Sequence, residues 1–213
     1  MSISEAPKRV NVYIDGFNLY HAMNDLNISQ IKWLNLWHLS TTFLRPNEEL
    51  QKVEYFTAEV HWDSAKVGRH RQYTRALQAK GVKVTQGNFK KAPRFCPRGS
   101  TNCDFNEEKK TDVAIGVTMV SEAMAGAFDR AILITADSDQ VPTINVIRQY
   151  ASHLDLTLAA PPGRLQAARE LGALFNGKDR LEIGESRLRA CVLPREVKDQ
   201  GGSLVAIRPV DYD

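Results

Sequence analysis

Val10-Asn11-Val12-Tyr13-Ile14-Asp15-Gly16-Phe17-Asn18 begins as a short β-rich run, breaks at an Asp-Gly turn signal and enters a helix-like segment that reaches about Leu26. A strand, a tight turn and a helix in that order open a β-α-β unit, and the rest of the chain repeats the pattern. Trp33 to Phe43 carries Leu34, Trp37, Leu39 and Phe43 at helical spacing and ends at Arg45-Pro46-Asn47. Val53-Glu54-Tyr55-Phe56-Thr57-Ala58 reads as a second strand, residues 63–80 as a helix closed by Gly81, and Val82-Lys83-Val84 as a third strand.

From Gly87 to Lys110 the periodicity lapses, and Pro93, Pro97 and Gly99 mark an irregular insertion longer than ordinary loops. Asp112 to Ala125 resumes as a helix whose Val113, Val117, Val120 and Met124 make one apolar stripe, expected to face inward. Ala131-Ile132-Leu133-Ile134-Thr135 is continuously apolar, as in a central parallel strand covered on both faces. A helix at about 140–151, a strand at Leu154–Ala160 and a short helix at Leu165–Leu174 follow. Alternating strands and helices predict an α/β sandwich with a mostly parallel sheet. Residues 194–213 are expected to form an appendage outside the core, able to strap across it.

Length and composition agree with one domain. The 213 residues are 43% hydrophobic and 25% charged, which excludes collagen-like, disordered and disulfide-scaffold classes. No stretch approaches the ~18 apolar residues of a membrane span, and the start shows no apolar signal region, so the expectation is a cytoplasmic protein with no membrane partner. Three cysteines, Cys96, Cys103 and Cys191, fit a reduced compartment. The formal charge of +3 neither demands nor excludes nucleic acid.

The chemistry is concentrated in the acids. Asp15 follows the first strand, Asp112 opens a helix, and Asp137 and Asp139 follow the most apolar strand. In an open parallel sheet the carboxyl ends of the strands line one crevice, so residues this distant in sequence can converge there. Converging carboxylates repel unless a cation is present, and oxygen ligands with no histidine cluster suit Mg2+ or Mn2+. Each acid also has an ordinary use as a helix cap, Asp139 before Val141-Pro142 among them. Gly16 permits a tight turn, and Asn18 can reach back to orient a carboxylate or phosphate.

Three stretches, Tyr13-Ile14-Asp15-Gly16-Phe17-Asn18, Glu108-Lys109-Lys110-Thr111-Asp112-Val113 and Ile134-Thr135-Ala136-Asp137-Ser138-Asp139, with Pro161-Pro162-Gly163-Arg164, resemble the NYN domain, specifically its LabA-like branch in the PIN-like nuclease superfamily. The resemblance covers about residues 9–193. It implies a Rossmann-like three-layer α/β/α sandwich with an acidic pocket holding a divalent metal for cleavage of RNA phosphodiesters. By motif, Asp15, Asp112 and Asp137 would be the metal carboxylates, Asp139 an additional acid and Asn18 a positioning residue. Two departures stand out: Ala136 replaces a glycine, and Thr118 stands where many relatives keep another acid. The second leaves open a catalytically weak or inactive domain that binds RNA or a regulatory partner.

Between Asp63 and Gly99 ten basic side chains face a single acid, with Tyr73, Phe89 and Phe95 among them. This pattern suits a single RNA strand, phosphates on the cations and bases on the rings, or else a solvated helix face beside a basic loop. Lys90, Lys91, Arg94 and Arg98 are the candidate RNA contacts, because their segment leads into Asp112. Cys96 and Cys103, with His61 or His70, are a weakly spaced zinc candidate; Cys191 reads as core and His21 as packed or surface. No Gly-x-Ser-x-Gly or Walker glycine loop occurs, and Phe17 stands where an aspartyl phosphotransferase would want its second acid.

Overall fold

A computed structural model describes residues 6–96 and 101–213, without the side chains of residues 88–109. Strand β1 (Lys8–Asp15) is followed by helix α1 (Gly16–Asp25), a 3-10 turn at Ser29–Lys32, α2 (Leu36–Thr41) and β2 (Glu48–Ala58). Then come α3 (Ser64–Ala79), β3 (Lys83–Cys96), β4 (Thr101–Lys109), α4 (Thr111–Met124) and β5 (Arg130–Ile134). A 3-10 turn at Ser138–Gln140, α5 (Val141–Tyr150), β6 (Asp155–Ala160), α6 (Arg169–Ala173), β7 (Arg180–Glu182) and α7 (Glu185–Ala190) complete the main sheet and its helices. Strands β8 (Glu196–Lys198) and β9 (Leu204–Ile207) end the chain with a 3-10 turn at Val210–Tyr212.

The sheet order is β4-β3-β2-β1-β5-β6-β7, parallel throughout except for β4. Numbered among the parallel strands alone, this is 3-2-1-4-5-6, the doubly wound order whose direction of winding reverses between β1 and β5. Apolar alternation on β1 builds two cores. Val10, Val12 and Ile14 meet Leu19, Tyr55, Tyr73 and Leu77 on one face, while Tyr13 meets Ile115, Met119, Phe128 and Ile144 on the other. Helices on both faces make the three-layer α/β/α sandwich expected from the sequence.

Three expectations need correction. Gly87–Lys110 is not irregular along most of its length: β3 runs on past β2, which pairs with it only through Gly87, and turns back antiparallel as β4. Pro93 is compatible because this part of β3 has no second neighbour whose ladder needs its missing N–H. On α4 the buried stripe is Thr111, Ile115, Met119 and Ala123, whereas Val113, Val117 and Met124 are 68%, 63% and 47% exposed. Both stripes have helical spacing, so periodicity could not choose between them. The C-terminal hairpin, in turn, joins the core: Val197 and Ala206 are buried against α3.

At the amino edge of the sheet, Arg130 and Glu48 form a buried pair at 2.6 Å, with Arg130 also donating to Phe43 O and the Thr157 hydroxyl, each at 2.9 Å. This pair ties the first residue of β2 to the first of β5 across β1. Removing one partner leaves an uncompensated charge in a dry site, a loss of about 3–5 kcal/mol. Glu48→Ala is therefore expected to lower the denaturant midpoint by that equivalent at unchanged m-value, read by urea unfolding.

Candidate metal centre

Ile14 pairs with Ile134 across the reversal point, which sets Asp15 beside Thr135 at the carboxyl end of the sheet. The Asp15 carboxylate caps α1, accepting from Asn18 N at 3.0 Å through Oδ1 and from the Thr135 hydroxyl at 2.8 Å through Oδ2. Thr135 Oγ1 in turn accepts from Asp137 N at 3.1 Å, and Asp137 Oδ1 accepts from Asp139 N at 3.0 Å. Asn18 uses its side-chain oxygen to hold Ala136 N at 3.0 Å. It thus fastens the loop after β5 to α1 through its side chain, while its backbone N–H holds the Asp15 carboxylate.

Asp112 arrives from the opposite helical layer. Gln140, buried, donates to Asp112 O at 3.0 Å and accepts from Thr143 at 3.0 Å, which locks the first turn of α4 to α5. A Cβ at Gly116 would lie 2.7 Å from the Thr143 hydroxyl, so only glycine allows the two helices to approach this closely. Gly16 acts likewise: its Cβ would meet Phe56 O at 2.5 Å and the Tyr55 ring at 2.6 Å, and its role is this approach to β2. Lys110, immediately before α4, adopts the left-handed φ of 82°, a strained conformation for lysine that turns the chain out of β4 into the site.

The result is one cluster. Asp15, Asp112 and Asp137 each present a carboxylate oxygen within 4.8 Å of the other two; Asp15 is buried, Asp137 half-buried and Asp112 exposed. Asp139 stands outside this trio, exposed, but its charge still reaches Asp112. Burial pushes the Asp15 carboxyl up, opposed by its hydrogen bonds from Asn18 and Thr135. Burial, then the charges of Asp15, Asp137 and Asp139, push Asp112 up to about 6. Three hard oxygen donors whose mutual repulsion no cation among the described residues relieves fit a divalent cation. Ala136 departs from glycine without strain, since it is not among the residues of positive φ, and the trio assembles without any contribution from Thr118.

The other candidates fall elsewhere. Lys90, Lys91 and Arg94 are on β3 with side chains outside the described residues, as are Cys96 and Cys103; Arg98 lies wholly outside them. Tyr73 is buried with its hydroxyl on Leu34 O at 3.0 Å, a core ring and no surface platform for a base. On α3, Arg69 pairs with Asp211 at 2.7 Å and Arg71 with Glu59 at 2.8 Å, so part of the basic surplus is neutralised. Cys191 is buried, and His21 lies exposed against the Phe17 ring at 5.0 Å. Thr135 and Gln140 were not singled out from the sequence as site residues; a hydroxyl directly after an apolar strand and a glutamine before a proline-started helix were their only signals.

Comparison with known proteins decides the family. The family model of the NYN domain matches residues 9–172, which include all three acidic positions. The chain belongs to the NYN family. A relative of this NYN chain is the 6-hydroxy-3-succinoylpyridine 3-monooxygenase of Pseudomonas putida, 25% identical over 92% of this chain and 73% of that protein. A crystal structure of a protein of unknown function from Vibrio parahaemolyticus shares the fold, with a TM-score of 0.55 at 18% identity over 85% of this chain and 96% of that one. Among the described residues, no helix of this NYN chain is long and apolar enough to cross a membrane.

A carboxyl raised by folding takes up protons more readily in the native state, so its stabilisation is complete below the unfolded value and lost as pH rises through the folded one. For Asp112 that window runs from about 3.8 to about 6. Chelator-treated NYN protein is therefore expected to lose Tm relative to Asp112→Asn across this window. Millimolar Mn2+ at pH 7 should return it, as followed by differential scanning fluorimetry.

Proposed function

We propose that this NYN protein is a divalent-metal-dependent ribonuclease of the LabA-like kind, cleaving RNA phosphodiester bonds at the three-carboxylate cluster. The carrying observation is the convergence of Asp15, Asp112 and Asp137 within 4.8 Å at the reversal point of the sheet. Membership of a family whose members are generally nucleases supports the same reading. The three aspartates would hold Mg2+ or Mn2+, which when bound supplies an activated water and stabilises charge on the phosphate and leaving oxygen. Asp15 is held in place by Thr135 and Asn18 N, Asn18 clamps the Ala136 amide, and Asp139 adds negative charge at the rim. A cytoplasmic RNA partner fits this chemistry.

The test is cleavage of labelled single-stranded and structured RNA pools with and without Mn2+. Wild-type protein should cut only with the metal, and Asp15→Asn or Asp137→Asn should lower the rate by roughly the 10²–10³ that loss of an electrostatic group at a reacting centre costs, with the fold retained by circular dichroism. RNA binding without turnover, unchanged by Asp137→Asn, would select the binding-only domain to which Thr118 points. The monooxygenase name of the Pseudomonas putida protein, aligned over 92% of this chain, favours a second reading, oxygenation of a hydroxypyridine. Oxygen uptake on 6-hydroxy-3-succinoylpyridine with a reductant, in place of RNA cleavage, would select it.

RNA would approach along the β3–β4 hairpin, whose strand β4 ends one residue before α4 begins. In Lys90/Lys91/Arg94→Ala the slope of log affinity against log salt is expected to become shallower by about 0.7 for each phosphate contact removed. Filter binding at several salt concentrations measures it.

A further inference from the structure

A cavity of about 250 Å³ opens at the same carboxyl edge of the sheet as the acidic trio, among α1, the end of β2, α3 and the C-terminal turn. It lies on the other face of the sheet, in the layer of α1 and α3, and the start of α1 separates it from the carboxylates. Its walls are the rings of Phe17, Tyr55, Tyr73 and Tyr212, with no aspartate or glutamate in the lining among the described residues. The volume lies just below the ~300–1,000 Å³ usual for small-molecule sites, enough for one ring system with a substituent.

Two features point to an occupant. His70 lines the cavity, and its Nε2 is withdrawn from solvent with no hydrogen-bond partner among the described residues, an unfavourable arrangement when nothing satisfies it. Burial pushes this imidazole down, so it is neutral near pH 7 and one ring nitrogen can meet a polar atom on a ring. Lys66 and Arg69 add positive charge to the lining; Lys66 is only loosely paired with Asp63 at 3.6 Å, while Arg69 is held by Asp211 at 2.7 Å. The outer wall is the last turn of the chain, fastened through this Arg69–Asp211 pair and by Arg208 to Asp213 at 2.9 Å. The C-terminal turn therefore forms one wall of the open cavity through Tyr212.

We propose that this cavity binds a small planar heteroaromatic anion, its ring between the tyrosines and on His70, and its carboxylate or phosphate toward Lys66 and Arg69. The inference is independent of the ribonuclease reading, which concerns the opposite face. Two ligand sources share this chemistry, mononucleotides and aromatic carboxylates.

Isothermal titration of the full chain in EDTA with uridine and adenosine monophosphates forms one arm, and titration with nicotinate and 6-hydroxynicotinate the other. Saturable 1:1 binding is expected in one arm, which names the source. Tyr212→Ala and His70→Phe should weaken it about ten-fold, and the exposed Lys66→Ala, which cannot disturb the core, several-fold. Asp137→Asn should leave it unchanged. No saturable binding in either arm overturns the proposal. So does binding that is insensitive to Lys66→Ala and Tyr212→Ala, or binding lost with Asp137→Asn, which would place the ligand at the carboxylates.

Discussion

The Thr135 hydroxyl on the Asp15 carboxylate, 2.8 Å long and buried, joins the two strands between which the sheet reverses. Three carboxylates within 4.8 Å repel one another, and the fold holds them there by supplying donors from behind. Thr135 is the hinge of that arrangement, donating to Asp15 while accepting from the Asp137 amide. Asn18 closes the same circuit from α1 to Ala136, so the turn after β1 and the loop after β5 behave as one piece.

Holding β1 and β5 in register requires rigidity away from the site as well. At the amino edge the Arg130–Glu48 pair supplies it. In mid-sheet, Tyr13 donates to Glu122 at 2.6 Å, Lys52 bridges Glu122 and Glu54, and Glu54 also accepts from Thr85 at 2.6 Å and pairs with Lys83 at 3.0 Å. This chain of charges crosses β1, β2 and β3 and reaches α4, the helix that carries Asp112. The lysine and threonine partners hold Glu54 below the usual carboxylate range despite its burial. Among the described residues, the buried charge along this face is paired with an opposite charge, whereas at the carboxyl edge Asp15 and Asp137 have hydrogen-bond donors but none of the three acids has a cationic partner.

Much of this was legible in the chain itself. The break at Asp15-Gly16, the uninterrupted apolar run of β5 and the acids at three junctions identify the sheet and the cluster, because strand and helix periods and turn chemistry are local properties. Other features were not. Val113 and Val117 were expected inside because α4 carries apolar residues on two faces at the same spacing; Ile115 and Met119 are buried instead because they meet Tyr13 and Phe56 of the sheet. Asn18 was expected to orient a carboxylate, and its backbone N–H does donate to Asp15, but no local pattern showed that its side-chain oxygen would take the Ala136 amide. The hairpin of β3 and β4 was hidden by Pro93, a residue that argues against a strand unless its missing N–H has no ladder to complete.

By itself, the sequence determined the α/β alternation, the parallel sheet and the identity of the acids, since each follows from residue types within a few positions of one another. Tertiary structure alone decided that Asp112 swings in from the opposite layer, held by Gln140 and the close approach at Gly116. It alone also turned the last residues into the wall of a cavity by setting Tyr212 over α1 and α3. Contacts between residues about a hundred positions apart depend on which face each helix buries and how closely it packs, and no local pattern encodes that choice.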